Sequence, residues 1–143
     1  MLSPRRLSQL ASIPVVLGSG LTLGIARWLT ASAEGHGTHR QLGLNPCSFL
    51  TLTGQPCPMC GMTTCFTHLA HGHVLAALVT QPFGLVLFGL TAGAFAIGLA
   101  ELVQPRDRWT RLFDLIQPVE RKVVVLFLLG LLLGWIYKIA VMW

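Results

Sequence analysis

A chain of 143 residues in which 53% are hydrophobic and only 10% charged is one small unit whose main solvent is not water. Its apolar residues gather in long continuous runs, which excludes a soluble enzyme, a disordered tail and a β-barrel. The net charge of +5 does not point to nucleic acid, because the basic residues crowd the ends of the apolar runs instead of forming a stripe interleaved with aromatics.

The first apolar run covers residues 10–30, close to the ~20 residues that cross a bilayer core as a helix. Arg5 and Arg6 before it and Ala31-Ser32-Ala33 after it also fit a secretory signal with a small-residue cleavage site. The run is longer than the ~7–15 residues of a usual signal core, and Arg27 interrupts the approach to that site, so a retained span is expected.

Residues 32–81 follow, and they hold every Cys and every His of the chain. A polar stretch with Glu34, His36, His39 and Arg40 leads to Cys47 and then to Cys57-Pro58-Met59-Cys60-Gly61. From Gly61 the pattern turns helical, with Phe66, Leu69, Val74 and Leu75 as the apolar set, a break near Gly72, and a stop at Pro82. Such a segment is too short and too polar for a further crossing and predicts an interfacial or re-entrant half-helix against the bundle. His36, His39 and His73 have no helical partner and read as solvated loop residues.

The second run is residues 83–102. Between Pro105 and Pro118, Trp109, Leu112, Phe113 and Ile116 recur at i, i+3, i+4 and i+7 with arginines on the other faces. That pattern predicts a helix lying in the headgroup interface or, equally, a packed connector. The third run is residues 123–143.

Arg5, Arg6, Arg106, Arg108, Arg111, Arg121 and Lys122 lie on one side of this arrangement, and only Arg40 and Lys138 clearly on the other. The excess of Lys and Arg marks the cytoplasmic side, so the N-terminus is expected inside and the C-terminus and the Cys segment outside. Each span also carries a glycine pair at helical spacing, Gly20 and Gly24, Gly89 and Gly93, Gly130 and Gly134, which predicts close helix packing.

The run from Cys47 through Thr53-Gly54-Gln55-Pro56-Cys57-Pro58-Met59-Cys60-Gly61-Met62-Thr63 to Pro82 resembles a family of small bacterial integral membrane proteins of unknown function. That family's signature reads Cys … Thr-Gly-x-x-Cys-Pro-x-Cys-Gly-x-Thr-Arg-Ala … Asn-Pro. Here Thr64 stands in place of the arginine and Cys65 in place of the alanine. The resemblance implies a membrane location and a cysteine site, and no reaction.

Three chemical readings of the cysteines compete. As a metal knuckle, Cys57 and Cys60 would grip an ion, zinc being the candidate, with Cys47 as third ligand and Cys65, His68 or His71 as the fourth of a closed site. As a redox pair, Cys57 and Cys60 would precede a helix whose dipole stabilises the Cys57 thiolate. In the third reading the cysteines form a structural disulfide or stay inert thiols. No catalytic constellation of other kinds is present, which leans away from an enzyme.

The expected protein is therefore all-α and integral to the membrane, one unit over residues 1–143. It has three transmembrane helices plus an exoplasmic Cys-rich loop and half-helix, set in the plasma membrane (the inner membrane of a bacterium). Its expected role is an accessory or assembly subunit, packed among other membrane subunits and the lipid bilayer and carrying a structural Cys-based metal site. The alternative is a membrane thiol–disulfide oxidoreductase.

Overall fold

The computed structural model describes residues 4–142, and every regular element among them is a helix, with no strand. Trp143, the last residue of the third predicted span, lies outside the described residues. Three helical stretches are long and apolar enough to cross a membrane, Arg6–Trp28, Pro82–Val103 and Arg108–Met142, so the chain is multi-pass by length and composition. Helix α1 is Pro4–Trp28, α5 is Pro82–Val103 and α7 is Glu120–Met142. The short helices α2 (Ser48–Thr53), α3 (Met62–Ala70) and α4 (Val74–Thr80) lie between the first two long ones.

Antiparallel α1 and α5 form the closest helix pair. Small residues let them approach: a Cβ built on Gly98 would lie 2.7 Å from Val16, and one on Gly20 3.0 Å from the Phe95 ring. At one end of the pair the fully buried Glu101 acts as an anchor. It accepts hydrogen bonds from the Ser8 hydroxyl (2.9 Å), from the main-chain N–H groups of Arg106, Asp107 and Arg108, and from the Arg108 guanidinium (3.1 Å). Those three N–H groups turn the chain into α6 (Arg108–Ile116), whose Trp109 indole donates to Ser12 at 2.8 Å. Phe113 and Ile116 on the predicted stripe are exposed, as on a helix lying in the headgroup layer.

At the other end, residues 29–81 fold into a cap over the helix termini. The predicted half-helix is two short helices, α3 and α4, separated at Gly72, whose φ of +80° favours glycine. Phe66 of α3 meets Phe88 of α5 edge-on at 5.3 Å. The last turns of α7 clasp the cap from outside: Trp135 Nε1 donates to Pro56 O (2.7 Å), Tyr137 OH to Val79 O (2.8 Å), and Lys138 Nζ to Gly35 O (3.0 Å) and Thr80 O (3.1 Å).

The glycine pairs divide differently from the expectation. Gly130 and Gly134 make room for Phe83, which lies 2.7 and 2.9 Å from the Cβ positions they lack. Gly24, Gly89 and Gly93 have nothing within 4 Å, and residues 121–129 of α7 are exposed throughout.

Candidate thiol site

The cap builds a cavity of about 380 Å³ whose wall includes Cys47, Cys57 and Cys60. Local chain chemistry brings the three together. Cys47 precedes α2; that helix ends at Gly54, whose φ of +70° reverses the chain, and Gln55-Pro56 return it to Cys57. A turn closed by Cys60 N–H to Cys57 O (2.9 Å) then presents both flanking thiols. Gly61 is required twice over. Its φ is +86°, and a Cβ there would sit 2.8 Å from Gly35 O and 3.1 Å from Lys138 Nζ.

All four cysteines are free thiols. The Cys57 sulfur is in hydrogen-bonding contact with both Cys47 and Cys60, so the three thiols form a chain with Cys57 in the middle. Their environments differ. Main-chain N–H bonding at Leu50 lowers the Cys47 pKa, with burial opposing. Burial pushes Cys57 up to about 11, helped by the neighbouring Cys47 thiol. Burial also raises Cys60, Cys47 adds to the rise, and the Lys138 charge opposes it. In the redox-pair reading the helix dipole would stabilise the Cys57 thiolate. The structure differs on this point, because α3 starts only at Met62 and it is Cys47 that stands at the N-cap position of a helix, α2.

Among the described residues no group of three or more His, Cys, Asp or Glu side chains is disposed to hold a metal ion. The residues considered as a fourth ligand are elsewhere. Cys65 is fully buried, its thiol donating to Gln81 O at 3.4 Å and packed against Gly84 of α5. His71 accepts from Arg27 of α1 through Nε2 (3.0 Å), since a guanidinium can only donate, and donates from Nδ1 to Thr67 O (2.8 Å). Both its ring nitrogens are therefore engaged. His68 and His71 each lie near His73, with ring centroids 6.0 and 6.3 Å away, in a cluster outside the cavity wall.

Two residues read as solvated, His36 and His39, line the thiol cavity instead, with Glu34, Arg40 and Met59. The cause is the 3-10 turn Thr38–Leu42, bounded by Gly37 and Gly43 in left-handed conformation, which folds the loop back over the thiols. It is pinned by the buried Thr38 hydroxyl, 2.8 Å from that of Thr64 and accepting from Ser32 N–H at 3.0 Å. The residue that sequence reasoning missed is Lys138, taken only as a topology marker. A charge inside an apolar run was the available signal.

A family model described as "Protein of unknown function (DUF2752)" matches residues 47–95, which take in all four cysteines, α2, α3, α4 and the larger part of α5 but not α1, α6 or α7. No curated protein and no solved structure matches the chain.

Proposed function

We propose that the chain is a membrane thiol–disulfide exchange protein in which Cys47 is the nucleophile and Cys57 the resolving thiol, working on the exoplasmic face of the plasma membrane. The observation that carries this reading is the contact between two free thiols of opposite character at an open cavity: Cys47 with a lowered pKa, Cys57 raised to about 11. A thiolate is the attacking species in exchange. The Cys47 thiolate attacks a disulfide of a partner protein, a Cys47–partner bond forms, and the departing partner sulfur takes up a proton. Cys57 then gives up its proton and attacks the Cys47 sulfur, releasing the second partner thiol and leaving a Cys47–Cys57 disulfide. Two electrons pass to the partner disulfide, which becomes a dithiol.

The test is to equilibrate the purified chain in dithiothreitol buffers of graded potential while counting free thiols and mapping disulfides. Paired loss of two thiols, with Cys57 in the disulfide that forms, is the expected outcome. Thiols that stay reduced, with a stoichiometric chelatable metal, overturn it.

That second outcome belongs to the other reading, an accessory or assembly subunit with a structural Cys-based zinc site. What favours it is the donor set of one wall, three thiols and the Met59 thioether, soft ligands of the kind zinc or copper(I) takes. The exposed apolar length of α7 suits such a subunit, since it can be covered by lipid or by helices of a membrane complex.

A further inference from the structure

Lys138 lies four residues before the end of α7 and is 2% exposed. A buried ammonium in a membrane-spanning helix is costly unless an anion or enough acceptors face it, and such a residue marks a functional site with a partner to be named. Two of its three N–H donors are taken by Gly35 O and Thr80 O. No carboxylate pairs with it: among the described residues the ion pairs are His36 with Glu34 and Arg108 with Glu101. The ionisable groups that face it are the thiols of Cys60 and Cys65. Cys65 is wholly buried with its proton directed to Gln81 O, whereas Cys60 lines the cavity and contacts Cys57. Nothing bulky separates the ammonium from the Cys60 turn, because Gly61 offers no side chain and Nζ sits 3.1 Å from its absent Cβ.

We infer that Lys138 is a positioning residue, the counter-ion of a Cys60 thiolate, and that Cys60 is a third redox thiol which draws the disulfide from the outer Cys47–Cys57 pair to the inner Cys57–Cys60 pair. The inference rests on the exchange reading given above. The step balances within the chain: the Cys60 thiolate attacks the Cys57 sulfur, the Cys47–Cys57 bond breaks, a Cys57–Cys60 bond forms, and Cys47 leaves as thiolate. No oxidant enters beyond the partner disulfide already consumed. The order of events is built in. Cys47 is half-buried at the cavity wall and Cys60 is buried behind it, so a partner disulfide meets Cys47 first and the bond then moves inward toward Lys138. The inner disulfide is shielded, since Cys60 is 6% exposed, and Cys47 is free for a second attack.

The experiment uses the full chain in detergent, reduced, then given one equivalent of 2,2′-dithiodipyridine, with acid quenching at intervals and disulfide mapping by peptide mass across pH 6 to 10. Wild type is expected to form Cys47–Cys57 first and convert it to Cys57–Cys60. In Lys138→Met the conversion at pH 7 should slow at least tenfold and its pH midpoint should rise, while Lys138→Arg should restore both. A merely structural lysine would alter melting and leave the pH midpoint in place. A folded Lys138→Met with the wild-type profile overturns the inference. Should that variant not fold, the wild-type map decides: a Cys47–Cys57 disulfide that persists, with no Cys57–Cys60 product, overturns it as well. A chain that forms neither disulfide overturns the exchange reading together with this one.

Discussion

Cys47 and Cys57 touch each other yet their acidities are shifted in opposite directions, and the difference is measurable. Main-chain N–H bonding favours the Cys47 thiolate, whereas burial holds Cys57 protonated, so iodoacetamide at pH 7.5 should label Cys47 several-fold faster than Cys57, Cys60 or Cys65 in a peptide-mass assay. Equal labelling of Cys47 and Cys57 would remove the assignment of nucleophile. Burial pushes Cys57 and Cys65 up to about 11 from an ordinary thiol value of 9.0. An acid whose pKa is raised on folding stabilises the fold fully below its unfolded pKa and loses that contribution as pH rises to the folded value. The melting temperature should therefore fall between pH 9 and about 11, and less so in Cys65→Ala. The sequence told which thiols would meet, because Cys57-Pro58-Met59-Cys60-Gly61 specifies a turn with both sulfurs on one side. It could not tell which would ionise, because that depends on Leu50 N–H and on Lys138, one in a neighbouring helix and the other ninety-one residues beyond Cys47 in the chain.

At the scale of helices, glycine spacing alone does not tell which positions pack within the chain: Gly20, Gly130 and Gly134 do, and Gly24, Gly89 and Gly93 have nothing within 4 Å. Gly134→Leu should destabilise the chain by about 1–3 kcal/mol, the usual cost of overpacking, because Phe83 occupies the space. Gly93→Leu should leave the melting temperature of the isolated chain unchanged, since nothing lies within 4 Å of that position, so any effect it has should appear in co-purification of other membrane proteins. The spacing of glycines on a helix shows where a close approach is permitted, and only the neighbouring helix decides whether it is used. The three spans themselves were legible: predicted 10–30, 83–102 and 123–143 meet observed Pro4–Trp28, Pro82–Val103 and Glu120–Met142. Glu101 was not, although a carboxylate near the end of an apolar run carries its own signal. Glu101→Ala should cost about 1–3 kcal/mol, the scale of leaving buried donors unpaired, and should free the α5–α6 turn to limited proteolysis after Val103.

For the molecule as a whole, the asymmetry of charge is the feature that sets direction. The Arg-rich end carries Glu101, α6 and the start of α7, and the opposite end carries the cap. A periplasmic-type enzyme reporter fused after Trp143 is expected to be active and one fused at Thr110 inactive; the reverse pattern would place the thiols in the reducing compartment and remove their oxidising partner. The clasp between α7 and the cap has a consequence of another kind. Trp135, Tyr137 and Lys138 all grip main-chain carbonyls, those of Pro56, Val79, Gly35 and Thr80, and every residue has such a carbonyl. Where the residue that offers the carbonyl is exposed, as Val79 is, docking of the cap is thus blind to its side chain, whereas Gly35 is held in left-handed conformation and Pro56 and Thr80 are buried. Changes such as Val79→Ala should pass unnoticed while Trp135→Phe loosens the fit, so over evolutionary time the cap is free to vary its outer residues for new partners without coming undone.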